Sequence, residues 1–204
     1  MKYFDKLEKY FPELSNKKIN SYKNLYNIYE EINSKINLVS RKDFENFYLH
    51  HVIHSLSIVK VKLINNNNLK IIDIGTGGGF PGIPLSIYYD LNEFILIDSM
   101  RKKIDAIKKI NKQLKLKNIT LINNRIENEN LKVDIVLSRG VSSLSNIYKW
   151  TKKSINKCGI LVNFKGGDID KEIKRLNKKT KIVNLSDYYS EKFFETKKIV
   201  LIEA

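Results

Sequence analysis

Cysteine is almost absent. The single Cys158 in 204 residues rules out an internal disulfide framework and fits a reducing compartment. No stretch approaches the roughly 18 consecutive apolar residues that a membrane span needs. The opening, MKYFDKLEKYFPEL, is charged from the start and has no apolar run ending in small residues, so it does not read as a secretory signal. A cytoplasmic location is the expectation. With 42% apolar and 29% charged residues the composition is that of a soluble globular protein, which excludes disordered and collagen-like classes. The length is that of one ordinary domain.

Arginine and acid are also scarce. Only five of the 37 basic residues are Arg, and 22 acidic residues leave a net charge of +15. Such a balance points to polyanions, nucleic acid first and anionic membrane second. A codon pool biased toward Lys, Asn and Ile would give the same excess with no binding role, so charge alone leaves both readings open.

Four consecutive asparagines, Asn65 to Asn68, read as a loop that divides the chain. Before it, Tyr22, Leu25, Tyr26, Tyr29, Ile32 and Ile36 recur at helical spacing, and Leu49, Val52, Ile53, Leu56 and Val59 repeat the pattern. After it, short apolar runs alternate with helix-period segments. Strands are expected at Lys70–Ile74, Phe94–Ile97, Ile119–Ile122, Ile135–Ser138, Ile160–Phe164, Lys181–Leu185 and Lys198–Ile202. Helices are expected near Gly82–Tyr89, Arg101–Leu116 and Ser145–Lys157. This alternation predicts an α/β fold, a parallel sheet with helices on both faces. The last two strands lack a long intervening helix, which suggests a closing hairpin. The expected organisation is a helical N-terminal cap over 1–66 and one α/β domain over 67–204.

Glycine is sparse but not evenly so. Five of nine glycines and two of three prolines lie between Gly75 and Pro84, in the segment Ile71-Ile72-Asp73-Ile74-Gly75-Thr76-Gly77-Gly78-Gly79-Phe80-Pro81-Gly82. An apolar strand runs into it and a helix start follows, with Pro81 or Pro84 suited to a first helical turn. Glycines there let the chain turn sharply and a ligand approach the backbone.

Two cofactors fit such a loop. Gly77-x-Gly79-x-x-Gly82 matches the dinucleotide fingerprint, with Asp98 near the distance expected of a ribose-binding acid. Asp73, Gly75, Gly77 and Gly79 match the methyltransferase pattern acidic-x-Gly-x-Gly-x-Gly in register with the strand end. An Asp73 carboxylate at the loop mouth would face a pyrophosphate at roughly 5 Å, costing about 3 kcal/mol at an effective dielectric near 20. S-adenosylmethionine brings a sulfonium and an ammonium instead, which the same carboxylate attracts, and charge favours it. A P-loop is excluded, since no Gly-Lys-Ser/Thr ends the turn. Asp98 closes the second strand, where its two oxygens match the two ribose hydroxyls; a helix N-cap is its other reading.

The string from Asp73 to Leu85, DIGTGGGFPGIPL, resembles the signature loop of the RsmG (GidB) family of bacterial small-subunit ribosomal RNA guanine-N7 methyltransferases. Further stretches agree in order: Glu31-x-Asn33-x-x-Ile36-Asn37-Leu38, His51-x-x-x-Ser55-Leu56, Asp98-Ser99 with Lys102-Lys103, Arg125-Ile126-Glu127, Ser138-Arg139 with Ser143-Leu144, and Lys165-Gly166. The similarity runs from about residue 20 to the C-terminus. The family usually has Trp where Ile32 stands, Arg at His50, Asp at His54 and Ala at Ile126.

The resemblance implies a Rossmann-like class I methyltransferase sheet, S-adenosylmethionine as cofactor, and methylation of guanine N7 in the 530-loop region of 16S ribosomal RNA, free or in the small ribosomal subunit. It makes Gly75, Phe80, Ile126, Glu127 and Arg139 cofactor-binding positions, beside Asp73, Gly77 and Asp98. Arg139 and Lys165, each at a strand end, are the candidates for positioning substrate. A monomer with no metal and no membrane contact is expected. The remaining alternatives are an NAD(P)-dependent oxidoreductase and a methyltransferase with a non-RNA substrate. His50 and His54, one helical turn apart, lack the Cys or acidic partner that would complete a metal site, and packing or RNA contact suits them better. The aromatics Tyr22, Tyr26, Tyr29, Phe47 and Tyr48 read as core, with RNA stacking as the alternative.

Overall fold

Strands that are apolar at nearly every residue must be covered on both faces, and that requirement organises this molecule. A computed structural model describes residues 2–64 and 68–203. Its strands are β1 (Lys70–Ile74), β2 (Glu93–Ile97), β3 (Ile119–Ile122), β4 (Val133–Arg139), β5 (Ile155–Gly166), β6 (Thr180–Asn184) and β7 (Lys197–Glu203). The helices are α1 (Phe4–Tyr10), α2 (Asn16–Asn33), α3 (His54–Lys60), α4 (Gly82–Tyr88), α5 (Arg101–Leu114), α6 (Leu144–Thr151) and α7 (Asp170–Leu176). A π-helical segment, Phe47–Ile53, runs directly into α3.

All seven strands form one sheet in the order β3-β2-β1-β4-β5-β7-β6. The first five are parallel to their neighbours, and β7 runs antiparallel between β5 and β6. The α/β architecture and the closing antiparallel pair are as the sequence suggests. The short α7 crosses from β5 to β6 and was not expected; seven residues with five charges give it little periodicity.

Alternation along the strands divides the core. Ile71, Phe94, Leu96 and Leu137 face one way and join α2, α3, α4 and α5 in a single hydrophobic cluster. Ile72, Ile74, Ile95, Ile97 and Val136 face the other way and pack with α6 and α7. Tyr22, Tyr29, Phe47 and Tyr48 are fully buried in the first cluster, so these aromatics are core and do not form an RNA-stacking surface. Asn65–Asn67 of the expected loop, and with them the expected 66/67 division, lie outside the described residues; Asn68 is left-handed with φ 63°. Among the described residues no helix is long and apolar enough to cross a membrane.

Candidate active site

The glycine loop is held by hydrogen bonds to a buried carboxylate. Asp73 is the residue of β1 between Ile72 and Ile74, so period-2 geometry turns it to the face covered by the N-terminal helices. There it is wholly buried. Its Oδ2 accepts from Thr76 Oγ1 at 2.6 Å and from the Gly82 N–H at 2.9 Å, tying both ends of the loop. Its Oδ1 is buried without a partner among the described residues. Burial pushes the carboxyl up to about 7, against the two hydrogen bonds that favour the charged form. The carboxylate is therefore beneath the loop and not at its mouth, which corrects the expectation from sequence.

Gly75, Gly77 and Gly79 all adopt positive φ, at 59°, 59° and 87°. A Cβ on Gly75 would lie 2.8 Å from Val141 Cγ2, and one on Gly79 would lie 2.5 Å from Ile83 Cδ1. Both positions demand glycine.

On the opposite face, the ends of β1, β2 and β3 enclose a cavity of about 220 Å³. Ile74, Ile97, Ile126 and Trp150 give it apolar walls, and Gly75, Asp98 and Glu127 stand in its lining. Asp98 Oδ2 accepts from the Gly77 N–H at 2.9 Å, and Oδ1 accepts from the Met100 N–H at 2.8 Å just before α5. The cap-like contact and the position in the cavity coexist. Ile126 and Glu127 occupy a 3-10 turn after β3.

The remaining expected residues stand apart from this cavity. Phe80 is buried against Tyr29, Phe47 and His51, with ring centroids 5.0, 5.8 and 5.2 Å away. Arg139 places its guanidinium 5.2 Å from the Phe80 centroid and donates to His50 O at 3.1 Å. Its pKa is pushed down to about 10 by burial, with Asp73 opposing. Lys165 donates to Ser142 O and to Glu172 Oε2, both at 2.8 Å, and Glu172 also accepts from the Leu144 N–H. Lys165 is thus held in a strand-end ion pair.

Asp43 was missed from sequence. Its Oδ1 lies 2.6 Å from His50 Nδ1 and its Oδ2 lies 3.0 Å from His51 Nε2, while His51 Nδ1 faces the Arg139 guanidinium at 3.2 Å. Burial first, then Arg139, push the His51 pKa down to about 4. The ring is neutral at physiological pH, with Nδ1 free to accept from Arg139. His54 is surrounded by Phe164, Phe193 and Phe194, and His50 stacks on the same Phe193 ring at 3.9 Å, so the two histidines share an aromatic packing partner. Among the described residues, no group of three or more His, Cys, Asp or Glu side chains is placed to hold a metal.

The profile of a family described as "GidB: rRNA small subunit methyltransferase G" matches residues 18–200. The chain belongs to the GidB family. Ribosomal RNA small subunit methyltransferase G of Christiangramia forsetii is 43% identical over 202 residues, covering 96% of this chain and 95% of that one. The protein of the same name from Bacteroides thetaiotaomicron is 42% identical, covering 94% and 96%. Among solved structures, M. jannaschii TYW2 in complex with AdoMet superposes with a TM-score of 0.55 at 17% identity over 78% of each chain, a likeness of fold alone.

In this GidB-family chain the residues present fit S-adenosylmethionine. Asp98 offers a carboxylate among apolar walls, an acceptor for ribose hydroxyls beside a surface for the base. The cavity is smaller than sites that enclose a whole cofactor, so it suits the adenosine half. A dinucleotide fits less well. Its pyrophosphate would take the free N–H groups that open the helix after β1, and here the Gly82 N–H is bonded to Asp73 and the Ile83 N–H to Gly79 O. Trp150 was not singled out from sequence, although it is the only tryptophan.

Proposed function

We propose that this chain transfers the methyl group of S-adenosylmethionine to N7 of a guanine in 16S ribosomal RNA, as a monomer in the cytoplasm. Residues 67–204 carry the cofactor in this reading, and residues 1–66 form a helical cap on one face of the sheet. The observation that carries it is the Asp73 carboxylate seated at the first turn of α4, where a dinucleotide would need open amides. Family membership and the names of the relatives support the RNA substrate.

When bound, S-adenosylmethionine supplies an electrophilic methyl carbon on a sulfonium. Guanine N7 already has an in-plane lone pair, so the C–N bond forms as the S–C bond breaks and no proton has to be removed. The protein contributes position. Asp98 would hold the ribose hydroxyls, Ile126 and Glu127 would border the adenine, and Gly75 and Gly77 would let the cofactor approach the backbone, while Asp73 fixes the loop. Phe80 and Arg139 back the loop from the N-terminal side. Incubating unmodified small ribosomal subunits with the protein and labelled S-adenosylmethionine, followed by borohydride and aniline cleavage, tests the reaction. One protein-dependent break in 16S RNA is expected; label without cleavage would place the methyl elsewhere.

A further inference from the structure

A second concavity, about 460 Å³ in volume, lies between α2 and α5. Ile32 and Ile36 line it, and Lys35, Lys109, Lys112 and Lys115 surround it with Glu31 as the one acid. All four lysines are exposed. Among the described residues none of them forms an ion pair, whereas Lys6, Lys18 and Lys165 are matched to Glu191, Asp90 and Glu172. Lys109 and Lys112 are three apart on one helix, where like charges weaken it. The acid of α5, Asp105, is paired with Arg101 at the far end of the helix.

The same helix leads to the cofactor loop. Lys103 Nζ lies 4.0 Å from the point a Cβ on Gly77 would occupy. From Lys103 to Lys115 the helix rises by about 18 Å. Lysines thus continue from the glycine loop to the groove.

We propose that the α2–α5 groove docks a single-stranded segment of the substrate RNA flanking the methylated guanine. The proposal rests on the RNA-methyltransferase reading above. The rim supplies cations for phosphates, and the Ile32 and Ile36 floor accepts the face of an unpaired base. A duplex keeps its bases stacked inside and would leave that floor uncovered. Asp98 lines the other cavity, so the groove acts on affinity and not on the transferred methyl.

The test compares Lys109→Glu/Lys112→Glu with Lys152→Glu/Lys157→Glu, whose lysines are also exposed but lie just after α6 and near the start of β5. Both doubles change net charge equally. Binding of a labelled single-stranded 16S fragment, and of the same fragment annealed to its complement, is measured across a salt series. S-adenosylhomocysteine affinity and methyl transfer are measured in parallel. The groove double is expected to weaken single-strand binding about tenfold and to make the log–log salt slope shallower by about 1.4, given roughly 0.7 per phosphate. Its KM for RNA rises, while kcat at saturating RNA and S-adenosylhomocysteine affinity stay at wild-type values; the control double stays within about twofold. Equal weakening by both doubles, no weakening by the groove double, loss of S-adenosylhomocysteine binding, or preferential duplex binding overturns the proposal. A wild-type chain that shows the groove effect but leaves RNA unmethylated overturns the reaction reading and leaves the groove standing.

Discussion

Asp98, at the end of β2, accepts the backbone N–H of Gly77 at 2.9 Å. One carboxylate thereby lines the cavity proposed for the cofactor and fastens the glycine loop beside it. Asp98→Asn keeps an acceptor for Gly77 but removes the charge offered to the ribose. Hydrogen bonds to charged groups are worth about 1.5–3 kcal/mol, so S-adenosylhomocysteine affinity should fall about 10- to 100-fold. Fluorescence of Trp150, in the wall of the same cavity, reports the binding.

Two glycines separate backbone strain from steric clash. Gly140 has φ 66° with nothing within 4 Å of a Cβ, and Gly79 has φ 87° with Ile83 Cδ1 at 2.5 Å. Gly140→Ala should lose about 1 kcal/mol from left-handed strain alone. Gly79→Ala should lose roughly 2–4 kcal/mol, since the clash adds to the strain. Urea unfolding of the two variants measures the difference.

The Asp73 carboxyl, raised to about 7 in the folded chain from an ordinary 3.8, binds its proton more tightly folded than unfolded. Its stabilising contribution is complete below about pH 4 and is lost as pH rises toward 7. Asp73→Asn should remove that downward slope from a plot of stability against pH. A slope that persists unchanged in the variant would assign it to other groups.

His51 has the opposite sign. Its pKa is lowered to about 4 from 6.5, so its contribution is present above pH 6.5 and is lost as pH falls toward 4. A ring-proton NMR titration should find His51 neutral throughout pH 5–8. Protonation near 6.5 would mean that the ring is not packed against Arg139.

Lys165 and Glu172 form a largely shielded pair, with side-chain exposures of 15% and 34%. Lys165→Met should lower stability by about 1 kcal/mol and leave S-adenosylhomocysteine affinity unchanged. A variant of wild-type stability that fails only in methyl transfer would return Lys165 to a substrate-positioning role.

Much of the fold was legible because β1, β2 and β4 are buried on both faces and so read as mainly apolar runs, interrupted by Asp73 in β1 and by Asp134 and Ser138 in β4. Boundaries failed where a local pattern continued past its element. The expected helix to Lys157 overran α6, since Ile155 opens β5 by pairing with Val133 across a register irregularity. At the site, glycine spacing and the strand-end acids could be read along the chain. Which way each acid points could not: Asp73 and Asp98 look equivalent in sequence, but Asp73 lies within β1 and turns beneath the loop, whereas Asp98 follows the last residue of β2, where the chain leaves the sheet, and lines the cavity. The Asp43–His51–Arg139 contacts join a 3-10 turn, a π-helical segment and a strand end, a meeting that no single-segment periodicity encodes.

The most direct measurement is calorimetric titration of the purified protein with S-adenosylhomocysteine and, separately, with NADH. Saturable binding of S-adenosylhomocysteine at one site, abolished or strongly weakened by Asp98→Ala, with no binding of NADH, is expected. Tight NADH binding beside indifference to S-adenosylhomocysteine would contradict the account.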